Sequence, residues 1–581
     1  MSLAGQSCEI EVPYKEITCH SIKSFTDLFS LLTTPTKRQA KVVHKTDTIR
    51  KSILTLLSAI LMNSGLDAGQ KMMNMIQNIL YSILQQISDT ENNEETLEML
   101  MNALSPERRG NSFSVHRTTV DDMLPEFTRR ECDKWLEDIY LRNMDEISKF
   151  NGRSKQITLC LDETPETVHT KYQNGTLQYI HVGQKSTWEK GFEYNAYYDA
   201  THQLFLGLTH HDKYFTDAEK RHIRPWIQSL IQKVQVVNQA GCDVKIIEGD
   251  RGYYQAEVFA AAPLGLFTSG TKNTCDPRLV IPRKFTREKT SFKWDYLLDT
   301  TRGQVFMDYM KLNPYTHPGL KDQVEGIFEK TSDYRYKIPF ACVALIDEYS
   351  NKNNRTLAEV REEARKIQKK LDIFSKKLAQ AEKKYLTYLK AHRSGDPHKP
   401  GYGRGRKRTK FLDDYDKANY NRCLDIYDIL KRIKGQKTAL LKSLMFIAIS
   451  IFPGEDPCMA PKRFIRLAQD YHERWGIERG FEDTKIKFMR DARSRKPTKR
   501  QLNVMIGMCL YNQWHVERLR QMLEIYRDDV WNRVPWDPQR PWIRRRLERQ
   551  FHGMLSADSY LLHLIETGVK YEIKKILRKK E

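Results

Sequence analysis

Tyr471-His-Glu-Arg-Trp-Gly-Ile-Glu-Arg-Gly-Phe-Glu-Asp-Thr-Lys485 decides how the rest of this 581-residue chain is understood. As an α-helix turning about 100° per residue, it puts Arg474 roughly 300°, Glu478 roughly 340° and Lys485 roughly 320° from Tyr471. The four polar side chains then share a strip roughly 60° wide. Ile477, Phe481 and Phe488 lie beside that strip as a core-facing stripe. Gly476 and Gly480 each cost such a helix on the order of 1 kcal/mol relative to alanine. Two of them predict the close approach of another surface.

Upstream, two carboxylates stand at the ends of strand-like runs. Gln156-Ile-Thr-Leu-Cys-Leu-Asp162 alternates apolar residues at 157, 159 and 161, as a strand does, and stops on Asp162-Glu-Thr. Phe192–Tyr198 and Gln203–Leu208 form a predicted antiparallel hairpin around Asp199-Ala-Thr-His. A helix is expected from about residue 216 to 240. Cys242-Asp-Val-Lys-Ile-Ile-Glu-Gly-Asp250-Arg-Gly-Tyr-Tyr is a strand ending in an acidic turn, with a helix near Gln255 and a fifth short strand over Leu264–Ser269. A lone aspartate at a strand end is ordinarily a turn former. Two of them in order, followed by the Tyr471–Lys485 helix, suggest more.

The spacing Tyr-x2-Arg-x3-Glu-x6-Lys resembles the YREK signature of DDE transposases of the insertion-sequence-four family, and Gly249-Asp-Arg-Gly-Tyr-Tyr254 is similar to their second-aspartate motif. The resemblance is specific over about 156–270 and 461–515, general over the region between, and absent from the N-terminal part. It implies an α/β chain with a ribonuclease H-like catalytic core, Asp162 and Asp250 on adjacent central strands, and Glu478 as the third catalytic carboxylate. It further implies that Tyr471, Arg474 and Lys485 handle DNA phosphates.

Lysine plus arginine outnumber aspartate plus glutamate by 96 to 74, a net charge of +22. The pI is near 9.3. Such a balance favours a polyanionic partner, nucleic acid being the commonest, over a merely soluble basic protein. The ten cysteines contain no C-x2-C or C-x4-C pair, which leaves a zinc site without support. No basic segment followed by an apolar stretch opens the chain, and the longest apolar run, Leu444–Phe452, is too short to span a bilayer. The expectation is an intracellular soluble protein without a membrane partner. With the resemblance, it becomes a cytoplasmic, nucleoid-associated protein of a prokaryote.

The remaining segments complete an expected domain order. Residues 1–150 carry helical patterning from Thr48, a break at Gly65–Gly69, further helices at about 73–83 and 96–104, and a capped helix start at Thr118-Thr-Val-Asp-Asp122. In transposases such modules bind the element's ends. A helical packing domain without base contacts is the alternative, since no helix-turn-helix pattern is clear. The core's first part is assigned to 151–273 and a β-rich insertion to 274–351, with strands at Leu279–Pro282, Phe292–Leu298, Gly303–Met307 and Ile338–Ile346. Trp294 in that insertion is a candidate base-stacking residue by resemblance, and a sheet-packing residue on the plainer reading.

Residues 352–440 make an inserted coiled-coil hairpin. Leu357, Val360, Ala364, Ile367, Leu371, Phe374, Leu378, Ala381, Tyr385 and Tyr388 hold a three-four spacing over more than four heptads, and a less regular helix returns after a basic tip at 394–410. The core's second part covers 441–515, and 516–581 is a basic, helical end that such relatives often use for dimer contacts.

Phosphodiester cleavage and strand transfer need an activated oxygen nucleophile and charge relief at the phosphate, which two magnesium ions supply, with manganese as a substitute. Asp162, Asp250 and Glu478 are the expected ligands. Glu163, Glu248 and Glu482 are set aside because the spacing selects Glu478. The favoured function is cut-and-paste DNA transposition by a homodimer acting on terminal inverted repeats and target DNA. The alternatives are a metal-dependent nuclease without strand transfer and a transposase-derived protein that only binds DNA.

Overall fold

The computed structural model describes residues 46–88, 129–149, 156–167, 178–182, 187–210, 225–267, 277–284, 290–299, 303–314, 323–347, 355–392, 414–489, 497–529 and 556–578. Short pieces at 98, 101, 105, 114–116, 120, 301 and 320 complete it. Helices α1 (Thr46–Leu61) and α2 (Leu66–Ser88) form the predicted pair. Ile53, Leu56, Leu57 and Ile60 are buried, as the periodicity requires. The break between the helices falls at residues 62–65, so Gly69 lies inside α2. A Cβ at Gly69 would sit 2.3 Å from the Thr55 carbonyl oxygen, which explains the glycine. No single described helix is long and apolar enough to cross a membrane, and α1 and α2 pass that test only as a pair bent by 107°. Helix α3 spans Arg129–Lys149. Most of the expected 96–104 helix, the loop after it and the Thr118–Asp122 helix start lie outside the described residues.

The fold is of mixed α/β class. Strands β1 (Gln156–Thr167), β2 (Gln178–Val182), β3 (Thr187–Asp199) and β4 (Leu204–His210) precede α4 (Pro225–Gln239) and β5 (Asp243–Gly249). Helix α5 (Ala256–Ala261), β6 (Arg278–Pro282), α6 (Thr290–Leu298), β7 (Val305–Leu312) and β8 (Tyr336–Ile346) follow. The long helices α7 (Leu357–His392) and α8 (Asp414–Lys442) then lead to β9 (Leu444–Ser450). The chain goes on through α9 (Pro461–Asp470), α10 (Trp475–Asp483), α11 (Pro497–Asp529) and α12 (Ala557–Arg578).

All nine strands share one sheet, in the order β2-β3-β1-β5-β6-β9-β8-β7, with β4 also paired to β3. β1 runs antiparallel to β3 and parallel to β5, and β5 is parallel to β6. β6, β9, β8 and β7 are mutually antiparallel, so the strands of the expected insertion extend the central sheet.

Two expected strands are corrected. Leu264–Ser269 is not the fifth core strand; its described part, Leu264–Phe267, is the chain reversal that closes α5. There the Leu266 amide donates to the Ala261 carbonyl at 3.1 Å, and Gly265 adopts φ +69°. The strand beside β5 is Arg278–Pro282, buried along its length as a central strand must be. Phe292–Leu298 is helical rather than extended. Its aromatic content mimics a strand, yet burial of Trp294 and Leu297 follows a helical step.

Helices cover both faces of the sheet. One core joins β1, β5 and β8 to α4, α5, α6 and the base of the α7–α8 hairpin. A second packs α1, α10, α11 and α12 against β3 and β4. A third sets α9 against β8 and β9. α7 would extend about 54 Å at 1.5 Å per residue. Its seam residues Val360, Ala364 and Ile367 are buried, as are Ile426, Leu430 and Ile433 of α8, while Leu371, Phe374 and Leu378 are half-buried. The tip expected at 394–410 lies outside the described residues.

Candidate active site

Strand register brings the two aspartates together. Cys160 pairs with Glu248 and Leu161 with Gly249 across the parallel β1–β5 edge, so one further step sets Asp162 beside Asp250. Asp250 turns the chain at once into a 3-10 turn, Arg251–Tyr253, and its Oδ1 accepts from the Gly252 amide at 2.7 Å. A Cβ on Gly252 would lie 2.9 Å from that oxygen, so a larger residue there would displace the Asp250 carboxylate.

Two tyrosines hold this turn from opposite sides. The buried Tyr253 hydroxyl donates to Asn195 Oδ1 at 2.9 Å, tying the turn to β3. The Tyr471 hydroxyl donates to the Gly249 carbonyl at 3.2 Å, tying the end of β5 to the segment that carries Glu478.

That segment is not one uniform helix. Tyr471–Arg474 is a 3-10 turn, Trp475–Asp483 is α-helical, and Thr484–Phe488 is a π-helical turn. Tighter winding at the start and looser winding at the end break the common strip expected from 100° per residue. Tyr471 consequently points inward, 7% exposed, with its hydroxyl committed to Gly249. It braces the site here and is not displayed toward a phosphate. Lys485 is exposed and reaches the Pro165 carbonyl of β1 at 3.4 Å. The two glycines do mark close approach. A Cβ on Gly476 would meet Tyr198 at 3.3 Å, and one on Gly480 would meet Phe205 at 3.1 Å.

Arg474 links the carboxylates. Its Nη2 donates to Glu478 Oε1 at 2.6 Å and its Nη1 to Asp162 Oδ1 at 3.3 Å. Burial pushes the Asp162 carboxyl up to about 6; Arg474 opposes the rise, and the charges of Asp250 and Glu478 add to it. Three carboxylates from distant parts of the chain therefore sense one another around a single guanidinium. The cluster opens toward solvent on the helix side, where Glu478 is 41% exposed against 16% for Asp162.

Among the described residues, no group of three or more His, Cys, Asp or Glu side chains is gathered tightly enough to hold a metal ion in this arrangement. The donor chemistry nonetheless suits a hard cation. All three groups offer carboxylate oxygens, and their accumulated negative charge helps burial to hold a proton on Asp162 to unusually high pH.

Of the carboxylates set aside, Glu248 is fully buried behind the site, where the Cys160 thiol lies 3.6 Å from its Oε2. Glu482 is exposed. Glu163 Oε1 lies 3.6 Å from where a Gly252 Cβ would stand, so it is a near neighbour of the turn that carries Asp250. Trp294 is far from displayed. It is 3% exposed on α6, its indole N–H donates to Gln368 Oε1 at 2.7 Å, and Lys437 lies over its ring at 4.5 Å. It packs, against helices rather than in a sheet, and presents no face to a base. The bracing roles of Tyr253 and Asn195 escaped sequence reasoning, although Tyr253 lies within the quoted motif.

No protein-family model matches the chain, and no curated protein matches it. A search of solved structures finds similarity to a piggyBac transposase synaptic complex with hairpin DNA. That similarity covers 97% of this chain and 81% of the other, at 8% identity and a TM-score of 0.37. A likeness this distant identifies neither a family nor an activity.

Proposed function

We propose that this protein is a DDE-type DNA transposase that cuts and rejoins DNA at transposon ends on a ribonuclease H-like core. The observation that carries the reading is the convergence of Asp162, in β1 just past its last pairing with β5, Asp250, just past the end of β5, and Glu478, on a helix over 200 residues further on, beside Arg474. The strand arrangement β4-β3-β1-β5-β6, three antiparallel strands followed by two parallel ones, supports it. So does the net charge of +22.

Asp162, Asp250 and Glu478 would hold two Mg²⁺ ions, with Mn²⁺ as a substitute, whose chemistry is to activate the attacking oxygen and stabilise the leaving 3′-oxygen. Asp250 is fixed in direction by the Gly252 amide. Tyr471 and Tyr253 hold the turn that carries it. Arg474 neutralises the cluster before it is loaded, and its planar fork then suits a DNA phosphate. Lys485 adds an exposed positive charge beside β1 for the same backbone. A homodimer on DNA, with residues 1–150 reading the element's ends, completes the proposal.

The test is end joining. Inverted repeats are sought in the DNA flanking the reading frame, and labelled duplexes ending in them are incubated with the protein, Mg²⁺ and a target plasmid. Covalent joining of 3′-OH ends to the plasmid is expected. Cleavage without joining would assign a nuclease instead, and no cleavage with either Mg²⁺ or Mn²⁺ would sink the proposal.

A further inference from the structure

Helix α8 divides into two unlike halves. Residues 429–442, Ile-Leu-Lys-Arg-Ile-Lys-Gly-Gln-Lys-Thr-Ala-Leu-Leu-Lys, contain five cations and no acid. Leu430, Ile433 and Leu440 are buried on one side. Lys431, Lys434 and Lys442 are exposed, and helical stepping puts all three within roughly 80° on the opposite side. None of the three forms an ion pair with a described residue. On the neighbouring helix α7, Arg365 and Lys366 both pair with Glu362, while Lys369, Lys370 and Lys376 form no ion pair with a described residue. Lysines kept apart from acids over four helical turns favour an external anion.

Lys437, the half-buried cation of the same stretch, lies over Trp294. The adjacent Lys293 donates to the Leu444 carbonyl at 2.9 Å, just past the end of α8. Burial lowers the Lys293 ammonium, the charge of Arg251 lowers it further, and that of Asp347 opposes the fall. Arg251 is exposed and follows Asp250 directly.

We infer that the ridge Lys431–Lys434–Lys442 is a docking track for the phosphate backbone of duplex DNA lying outside the scissile phosphate. The inference rests on the proposed DNA chemistry and deepens it, because it assigns the base of the inserted hairpin to the substrate. The ridge from Lys431 to Lys442 is about 16 Å long. One DNA strand carries a phosphate about every 3.4 Å along the axis, so the ridge spans about five of them. Three exposed lysines can engage that backbone without reading its sequence.

The test uses the full chain and a 40-bp duplex of arbitrary sequence. One variant carries Lys431→Gln, Lys434→Gln and Lys442→Gln; a control with equal charge loss carries Lys311→Gln, Lys330→Gln and Lys337→Gln on the β7–β8 side. Glutamine keeps helix propensity, and unchanged circular dichroism and melting temperature show that each variant folds. A single Lys434→Glu variant serves as a second probe. For the ridge variant, the slope of log affinity against log salt is expected to become shallower by about 2–3, with about 10- to 100-fold weaker binding near 0.1 M salt. The control should change the slope by less than about one.

Equal losses in ridge and control variants would mean that net charge alone matters, and would overturn the track. Tight binding by the parent protein with no change in the ridge variant or in Lys434→Glu would overturn it while leaving the transposase reading intact. Absence of DNA binding by the parent protein would overturn both.

Discussion

Two clusters in this protein are built from the same residue types and end up as opposites. In one, Lys233 of α4 is wholly buried between Asp133 and Glu137 of α3 and hydrogen-bonded to both. Every approach is closed. The Leu208 amide donates to Asp133 at 3.2 Å, Gln232 donates to Glu137 at 2.9 Å, and a Cβ on Gly207 would collide with the lysine chain at 2.3 Å. In the other, Arg474 bonds Asp162 and Glu478, the charge of Asp250 acts on Asp162 as well, and Glu478 faces solvent. One cation for two enclosed carboxylates makes a fastener between two helices. One cation for three carboxylates at an open edge leaves negative charge to be met from outside. Burial and the completeness of pairing, rather than the presence of acids, separate the closed cluster from the open one.

The largest effect that would break this contrast concerns activity. Asp162→Ala, Asp250→Ala and Glu478→Ala should each lower Mg²⁺-dependent DNA cleavage by about a thousandfold or more, the equivalent of several kcal/mol of lost charge stabilisation. DNA affinity should hold within about threefold, because phosphate contacts elsewhere dominate it. Near-normal cleavage by any one variant removes that residue from the site.

The closed cluster should respond in stability instead. Lys233→Met strands two buried carboxylates and is expected to cost about 3–5 kcal/mol in urea unfolding. Adding Asp133→Leu and Glu137→Leu should recover most of that loss, since an apolar replacement of a whole buried cluster is often close to neutral. A loss below about 1 kcal/mol for Lys233→Met would show that the cluster is already hydrated.

A smaller effect sharpens the comparison through pH. Folding raises the Asp162 carboxyl from 3.8 to about 6, so between those values the folded state binds more protons than the unfolded one. Its contribution is therefore fully favourable below about pH 4 and is lost as pH rises through about 6. Asp162→Asn removes this dependence. Without metal, its stability relative to the parent should rise between pH 4.5 and 7.5 by on the order of 1–2 kcal/mol, less than the full shift because the group is partly open to solvent. A difference that stays flat across that range contradicts an under-compensated site.

The placement of the candidate carboxylates was partly legible in sequence because short spacings are local. Asp250 follows its apolar run at the end of β5 as expected, whereas the strand carrying Asp162 runs on to Thr167 instead of stopping on Asp162-Glu-Thr, because residues 162–167 go on pairing with β3. Gly476 and Gly480 announced a close approach, which Tyr198 and Phe205 supply. The illegible parts depended on tertiary competition. Leu264–Phe267 and Phe292–Leu298 carry strand-like composition, yet one closes a helix and the other forms one. The inward turn of Tyr471 needs a 3-10 start that no period of 3.6 foretells, and its partner, the Gly249 carbonyl, lies 222 residues away. The same applies to Arg474. Its spacing implied a phosphate ligand, whereas its bonds here run to Asp162 and Glu478.

Iron(II) affinity cleavage tests most directly whether the open cluster is one metal site. The full-length protein is loaded with Fe²⁺ in place of Mg²⁺ and treated with ascorbate and peroxide, which cut the backbone close to the bound ion. The expected result is three cuts, near residues 162, 250 and 478, all suppressed by excess Mg²⁺ and all lost together in Asp162→Asn. Cuts confined to other segments, or cuts at these three that ignore both Mg²⁺ and the substitution, would show that the carboxylates around Arg474 do not act together on a metal.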